Sequence, residues 1–246
     1  MIARFLTRQR LVYLAGFILL CLSFSVNIFG TGPWPSWFSN FQKESEQLIV
    51  KTIECQAMDV NLQYSGPIRA ASGLPYTTIM EEGCDPAKLE PYASQYGLQT
   101  RLIALFAPGN PDALHNYFLG VKVVLVALMA AVLMWIVRAV RREFGLPAAI
   151  ATFALLCVSD WVVGYARNMY WVGFLLFLPF LISFGYYQLF KAKNKMLLFY
   201  GLLGIAFFLK FLNGNEHATT LIISAIAPIV YFEMKNGKRW QQLWRP

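Results

Sequence analysis

Long apolar runs broken by short basic or polar stretches set the organisation of the chain. A hydrocarbon core about 30 Å thick is crossed by about 20 apolar residues of helix, and about 17 suffice. Six segments meet or approach that length: residues 11–29, 117–137, 146–164, 170–190, 196–212 and 218–232, the last being the shortest. The pattern predicts an all-α polytopic membrane protein with about six transmembrane helices. A long polar stretch, residues 30–116, separates the first from the second and reads as a large external loop carrying surface helices.

Two parts of that loop have helical signatures. Ser39 and Gln42 stand at the S-x-x-Q spacing of a capping box, in which hydroxyl and amide satisfy free backbone N–H groups. The helix it opens extends to about Cys55, with Phe41, Leu48 and Ile49 apolar. A second run, residues 89–106, places Tyr92, Tyr96, Leu102, Ile103 and Phe106 mostly on one side at three-to-four spacing. Each helix either lies along the membrane surface or packs inside the loop. No clear strand alternation is visible here. The first apolar run has Arg4, Arg8 and Arg10 ahead of it, as a signal peptide would. It is long for that role, and IFGTGPWPSW offers no persuasive small-residue cleavage site, so it reads as an uncleaved anchor.

Composition agrees with the apolar pattern: 57% of the 246 residues are hydrophobic and 14% charged, with a mean hydropathy of +0.49. Soluble domains average about 25% charged. The net charge of +8 comes from clusters beside apolar runs, not from one polar face, which argues against a nucleic-acid partner. Arg4, Arg8 and Arg10, then Arg138, Arg141 and Arg142, then Lys191, Lys193 and Lys195, then Lys235, Lys238, Arg239 and Arg245 mark one side of the membrane. Against these 13 of the 21 Lys and Arg stand only Glu143 and Glu233. Basic residues are held back from translocation, so both termini are expected in the cytoplasm, with the chain in a bacterial inner membrane. The expected division is residues 1–29 for the N-terminus and first span, 30–116 for the loop, 117–232 for the remaining spans and 233–246 for a basic tail. The loop carries nine acids and five bases, so it crosses more readily than a basic loop would.

Several residues carry chemical interest. Cys55 and Cys84 fall on the external side, where a disulfide is permitted and would stabilise the loop by roughly 3 kcal/mol in the chain-entropy model. Cys21 and Cys157 fall in spans and read as small apolar residues. Four scattered Cys and two His lack ligand spacing, so no metal site and no cofactor is indicated. Arg167 in YARNMYW and Lys210 in FFLKFLNGNEH approach the outer face at a depth where a charge is expensive unless it snorkels, pairs or binds a ligand. Together they can hold a lipid phosphate, Arg with paired donors and Lys as a point charge. The alternatives are snorkelling for Lys210 and, for Arg167, pairing with Asp160 seven residues earlier. Asp160 is that partner or an active-site acid. Glu216 and His217 in the last external turn either orient a sugar and assist proton transfer or are polar surface residues. Trp161, Tyr165, Tyr170 and Trp171 read as an interfacial belt or as a sugar-stacking surface. Walker, dinucleotide, G-x-S-x-G and H-E-x-x-H patterns are absent.

From Asp59 the chain reads DVNLQYSGPIRAASGLPY and, further on, YASQYGLQTRLIALFAPGNPDALHNYFLG leading into the second span. The acid soon after span one, the IRAASGLPY run (residues 68–76) and the QYGLQ piece (residues 95–99) resemble polytopic glycosyltransferases of the C-type fold. The resemblance covers residues 59–142 by motif and the rest by topology, and is that of an N-terminal part or a short relative. Two departures stand out: such enzymes are usually much longer, with more spans, and the residues after P-Y differ. Where an acid commonly follows P-Y, this chain has Thr77 and Thr78, with acids returning at Glu81 and Glu82.

The resemblance implies transfer of a sugar from a polyprenyl-phosphate donor at the external face. It maps the family's catalytic acid onto Asp59, with Glu54 the second candidate, and places Tyr96 in the donor- or acceptor-orienting helix. Such chemistry needs a base for the acceptor hydroxyl and cations for the departing phosphate. Implied partners are membrane lipid, the polyprenyl-phosphate sugar, and a glycan, lipid or protein acceptor. Two other classes stay open: a lipid-carrier flippase or small transporter, and a non-catalytic membrane assembly subunit.

Overall fold

The computed structural model describes residues 2–60, 62, 66–75, 78–79, 83–92 and 95–237. It is mostly helical: α1 (Ile2–Val26), α2 (Trp37–Asn40), α3 (Lys43–Ala57), α4 (Leu98–Leu105), α5 (Pro111–Val158), α6 (Asp160–Ala166), α7 (Phe174–Phe184), α8 (Met196–Asn213) and α9 (Ala218–Lys235). Among the described residues four helices, α1, α5, α8 and α9, are long and apolar enough to cross a membrane. That marks the chain as an integral membrane protein, with four such helices where the hydropathy pattern predicts six spans.

The difference has two local causes. The second expected span and most of the third run together in α5, broken at Gly145, whose φ of 88° and ψ of 179° suit a residue without a Cβ, and the end of the third lies in α6 beyond an extended Ser159. Pro147 follows where a missing N–H is tolerated, in the first turn of a new helical arm. The arms, residues 111–144 and 146–158, fold back on each other: a Cβ at Gly16 would meet Met134 of one at 3.0 Å and Phe153 of the other at 3.5 Å. The fourth expected span shrinks to α7, 11 residues long. Its first residues are spent in a turn with Val172 at φ 48°, and a π turn (Tyr186–Lys191) takes its last.

The loop also departs from the sequence reading. Ser39 and Gln42 form no capping box: the Ser39 hydroxyl donates to the Ser36 carbonyl at 2.9 Å, and Gln42 sits left-handed at φ 53° immediately before α3. Phe41 therefore lies in the break between α2 and α3, its ring edge-on to Trp161 and Tyr165. The second expected helix is helical only in its later half, as α4. Its earlier part, Leu89–Pro91, is strand β2, paired antiparallel with β1 (Ile68–Ala70). Gly97 at φ 71° separates strand from helix, and a Cβ there would collide with the Pro67 ring.

These pieces cover the outer ends of the bundle. Leu48, Ile49 and Ile53 of α3 are buried with Ile68 and Leu89 of the sheet and with Leu114, Leu125 and Leu175 of the bundle. Thr52 fixes the join, donating to the Leu48 carbonyl at 2.8 Å while accepting the Ile68 N–H at 3.1 Å. A second core joins Leu20 and Phe24 of α1 to Met129, Leu133 and Val163, with Ser23 donating to the Cys157 carbonyl at 2.7 Å. Cys55 and Cys84 are disulfide-bonded, their Cα atoms 5.4 Å apart.

Cys84→Ser is expected to lower loop stability by up to about 3 kcal/mol. The readout is protease sensitivity within residues 30–116 under non-reducing conditions; unchanged resistance would show that the bond does not brace the loop.

Candidate functional site

Two short turns meet at the end of the bundle that carries α3 and the β1–β2 sheet, residues 167–173 between α6 and α7 and residues 214–217 between α8 and α9. The first is held by Asn168, whose side-chain oxygen accepts the N–H groups of Tyr170 (2.9 Å) and Trp171 (3.2 Å). Asn168, Met169 and Tyr170 are buried. The second is held by Lys210, 1% exposed, whose ammonium donates to the Gly214 carbonyl at 3.0 Å. Gly214 has φ 146°, and a Cβ there would run into the Glu216 carboxylate, so glycine is required.

Tyr170 and Gln99 connect the turns. The Tyr170 hydroxyl donates to Glu216 at 3.0 Å and lies 3.5 Å from the Tyr92 hydroxyl. Burial, with contributions from Tyr92 and Glu216, pushes the Tyr170 phenol far above its ordinary range, so it stays protonated. From α4, the Gln99 backbone N–H reaches the Asn213 side chain at 3.0 Å, while its amide donates to Gln95 at 2.9 Å and to the Tyr170 carbonyl at 3.1 Å. Of the sequence candidates, the structure therefore brings Lys210 and Glu216 together, with His217 next in the chain. Gln99, Asn213 and Asn168 were missed as site residues. Gln99 closes the QYGLQ piece that carries the family resemblance; for Asn168 and Asn213 the sequence signal was polarity at the ends of apolar runs.

An apolar cleft of about 400 Å³ opens beside this cluster, between α5, α6, α7 and α9. Leu133, Leu156 and Phe177 line its length, and Trp161, Tyr165 and His217 stand along its wall. The His217 ring is 5.2 Å from Trp171 and 6.1 Å from Tyr165, and Tyr165 stacks on Trp161. The cleft thus combines an apolar run with a mixed aromatic and imidazole rim.

Arg167 lies elsewhere. Its guanidinium donates to the Phe38 carbonyl at 2.5 Å and covers the Phe38 ring at 3.8 Å, so its hydrogen-bonding partner is the loop and not Asp160. Burial lowers its pKa and Glu46 opposes that effect; an arginine so placed remains charged at neutral pH. Glu46 also accepts Lys122 at 2.7 Å and the Met169 N–H at 3.1 Å. Asp160 occupies the first turn of α6, where a negative charge is favoured by the free N–H groups.

The proposed acids lie on α3 and its end. Glu54 is half-buried, and burial raises its carboxyl pKa against the opposing charge of Lys51. Asp59 is exposed at φ 57°, a left-handed position that Asp tolerates. Among the described residues no hydrogen bond or ion pair connects it to the Lys210 cluster. Tyr96 is 52% exposed, and the Arg101 guanidinium lies over its ring at 4.3 Å. Tyr76, Thr77, Glu81 and Glu82 lie outside the described residues. Among those described, no group of three or more His, Cys, Asp or Glu is placed to hold a metal.

Lys210→Met would leave the Gly214 carbonyl without its donor and Glu216 without a neighbouring cation. A loss of roughly 1–3 kcal/mol is expected in detergent-solubilised unfolding; unaltered stability would mean that Lys210 has no structural task. For Glu54 the sign follows from its raised pKa. The neutral form is favoured in the fold, so its contribution is complete below about pH 4.5 and lost as pH rises. Glu54→Gln should therefore melt higher than the parent at pH 7, with the gap closing toward pH 4.

No protein-family model, curated protein or solved structure matches this chain.

Proposed function

We propose that the chain is a membrane glycosyltransferase, or the N-terminal portion of one, that takes a sugar from a polyprenyl-phosphate donor at the external face. The observation that carries this reading is the apolar cleft with Trp161, Tyr165 and His217 along its wall, beside the buried Lys210–Glu216–Tyr170 cluster. Its shape suits an isoprenoid chain below and a sugar against aromatic rings above. In this reading the first arm of α5 crosses by itself, its second arm crosses together with α6, and α7 with its π turn makes a further crossing. Six spans then put both termini in the cytoplasm of a bacterial inner membrane.

Transfer breaks the bond between the sugar's anomeric carbon and the phosphate oxygen, and forms one to the acceptor oxygen. The acceptor proton passes to a carboxylate, for which the resemblance selects Asp59. Exposure of Asp59 leaves it open to an acceptor arriving from outside. His217, which lines the cleft, and Lys210, in the neighbouring turn, are assigned to compensate charge on the departing phosphate, Lys210 by exchanging its Gly214 carbonyl for the ligand.

One observation favours a second reading. Lys210 and Arg167 are each already bonded to a backbone carbonyl, as expected of a non-catalytic assembly subunit whose loop meets a partner.

Purified protein in lipid, supplied with polyprenyl-phosphate sugar and a panel of acceptors, should release polyprenyl phosphate. Asp59→Asn, which keeps the left-handed backbone, should reduce release by roughly a hundredfold or more if Asp59 is the base. Full activity in that variant removes Asp59 from the mechanism. No release with any acceptor favours the subunit reading, and movement of labelled lipid between leaflets without transfer favours a flippase.

A further inference from the structure

The opposite end of the bundle carries a site of its own. Glu143, at the Gly145 break, accepts the Tyr231 hydroxyl at 2.8 Å and pairs with Lys235. Glu233 of α9 accepts the Tyr186 hydroxyl at 2.8 Å and pairs with Lys191. Their side chains are only 4% and 6% exposed. These are the two acids of the basic end, and both are enclosed by a lysine and a tyrosine. Arg141, between the other two arginines of its cluster, points to Tyr13 at 3.4 Å.

Arg138 and Arg142 are left. They stand one helical turn apart on α5, both exposed, and no hydrogen bond or ion pair engages either among the described residues. Like charges at this spacing repel and cost helix stability unless an anion sits between them. Both line a pocket of about 180 Å³ whose other walls are apolar: Trp135 from α5, Leu181 and Phe184 from α7, and Leu189 from the π turn. Trp135 is 61% exposed toward the lipid side, and tryptophan favours the interface between head groups and chains.

We infer that this pocket binds an anionic glycerophospholipid of the cytoplasmic leaflet, its phosphate bridging Arg138 and Arg142 and its chains lying along Trp135, Leu181, Phe184 and Leu189. Charge complementarity selects the anion, because the protein's own carboxylates at this end are already enclosed. Guanidinium groups offer paired donors matched to phosphate oxygens. The apolar walls select a lipid over free phosphate, since inorganic phosphate would leave them uncovered. Basic pockets between helices on the cytoplasmic side are suited to lipid head groups on the same grounds. The site lies at the end of the bundle away from the outer cleft and does not depend on the glycosyltransferase reading.

The test is native mass spectrometry of the full chain in nonionic detergent, titrated with dioleoylphosphatidylglycerol or dioleoylphosphatidylcholine. The parent should prefer the anionic lipid by on the order of tenfold, and Arg138→Gln/Arg142→Gln should abolish the preference. Lys193→Gln/Lys195→Gln removes the same charge from the same end outside the pocket and should leave it in place. Equal losses in the two double variants would reduce the effect to general attraction and overturn the site, as would no preference in the parent. Displacement of the lipid by millimolar inorganic phosphate would overturn the lipid assignment. If the glutamine pair unfolds, Arg138→Lys/Arg142→Lys, which keeps the charge without the paired guanidinium donors, should weaken the preference in a folded protein; an unchanged preference there would overturn the arginine-bridged phosphate.

Discussion

Glu46 holds the external loop on the bundle. One carboxylate oxygen accepts the Lys122 ammonium of α5 and the other the Met169 N–H of the 167–173 turn, while its charge supports Arg167. Arg167 in turn reaches back to the Phe38 carbonyl. Loop, long helix and turn are thus cross-braced by one half-buried acid. In a low-dielectric setting such contacts are strong when complete and costly when broken. The close approach of α6 to Phe41 depends on the same docking: Gly164 faces the Phe41 ring so tightly that a Cβ would meet it at 2.6 Å.

Once the loop is seated, the outer turns can be buried. A chain reversing at the membrane face has backbone groups that water does not reach, and these must find partners within the protein. Asn168 supplies them for one turn and Lys210 for the other, while Gln99 links α4 to both. The polar cluster at the outer face is therefore architectural before it is chemical. The cleft beside it inherits its aromatic rim from the same turns, because Tyr165 ends α6 and His217 heads α9.

The two ends of the molecule handle charge differently. At the outer end cations are bonded to carbonyls of the chain itself. At the basic end Lys191 and Lys235 seal the two acids, and Arg138 and Arg142 of α5 are exposed.

Hydropathy alone established the membrane class and the placement of α1, α8 and α9, because transfer of about 20 apolar residues is decided by composition without reference to neighbours. Local signals were weaker guides. The S-x-x-Q spacing at Ser39 and Gln42 was outcompeted by a left-handed Gln42 that lets Phe41 pack on α6, and the three-to-four pattern of residues 89–106 gave way to strand pairing before Gly97. Six apolar runs became four long helices because a glycine break and a buried turn use residues that composition counts as span. Tertiary structure alone decided that Arg167 serves the loop instead of Asp160, that Lys210 closes a turn, and that Glu216, Tyr170 and Gln99 meet. Apart from the local Lys210–Gly214 contact, those pairings are made across 46 residues or more of chain, and no local pattern encodes a partner that only packing brings within hydrogen-bonding distance.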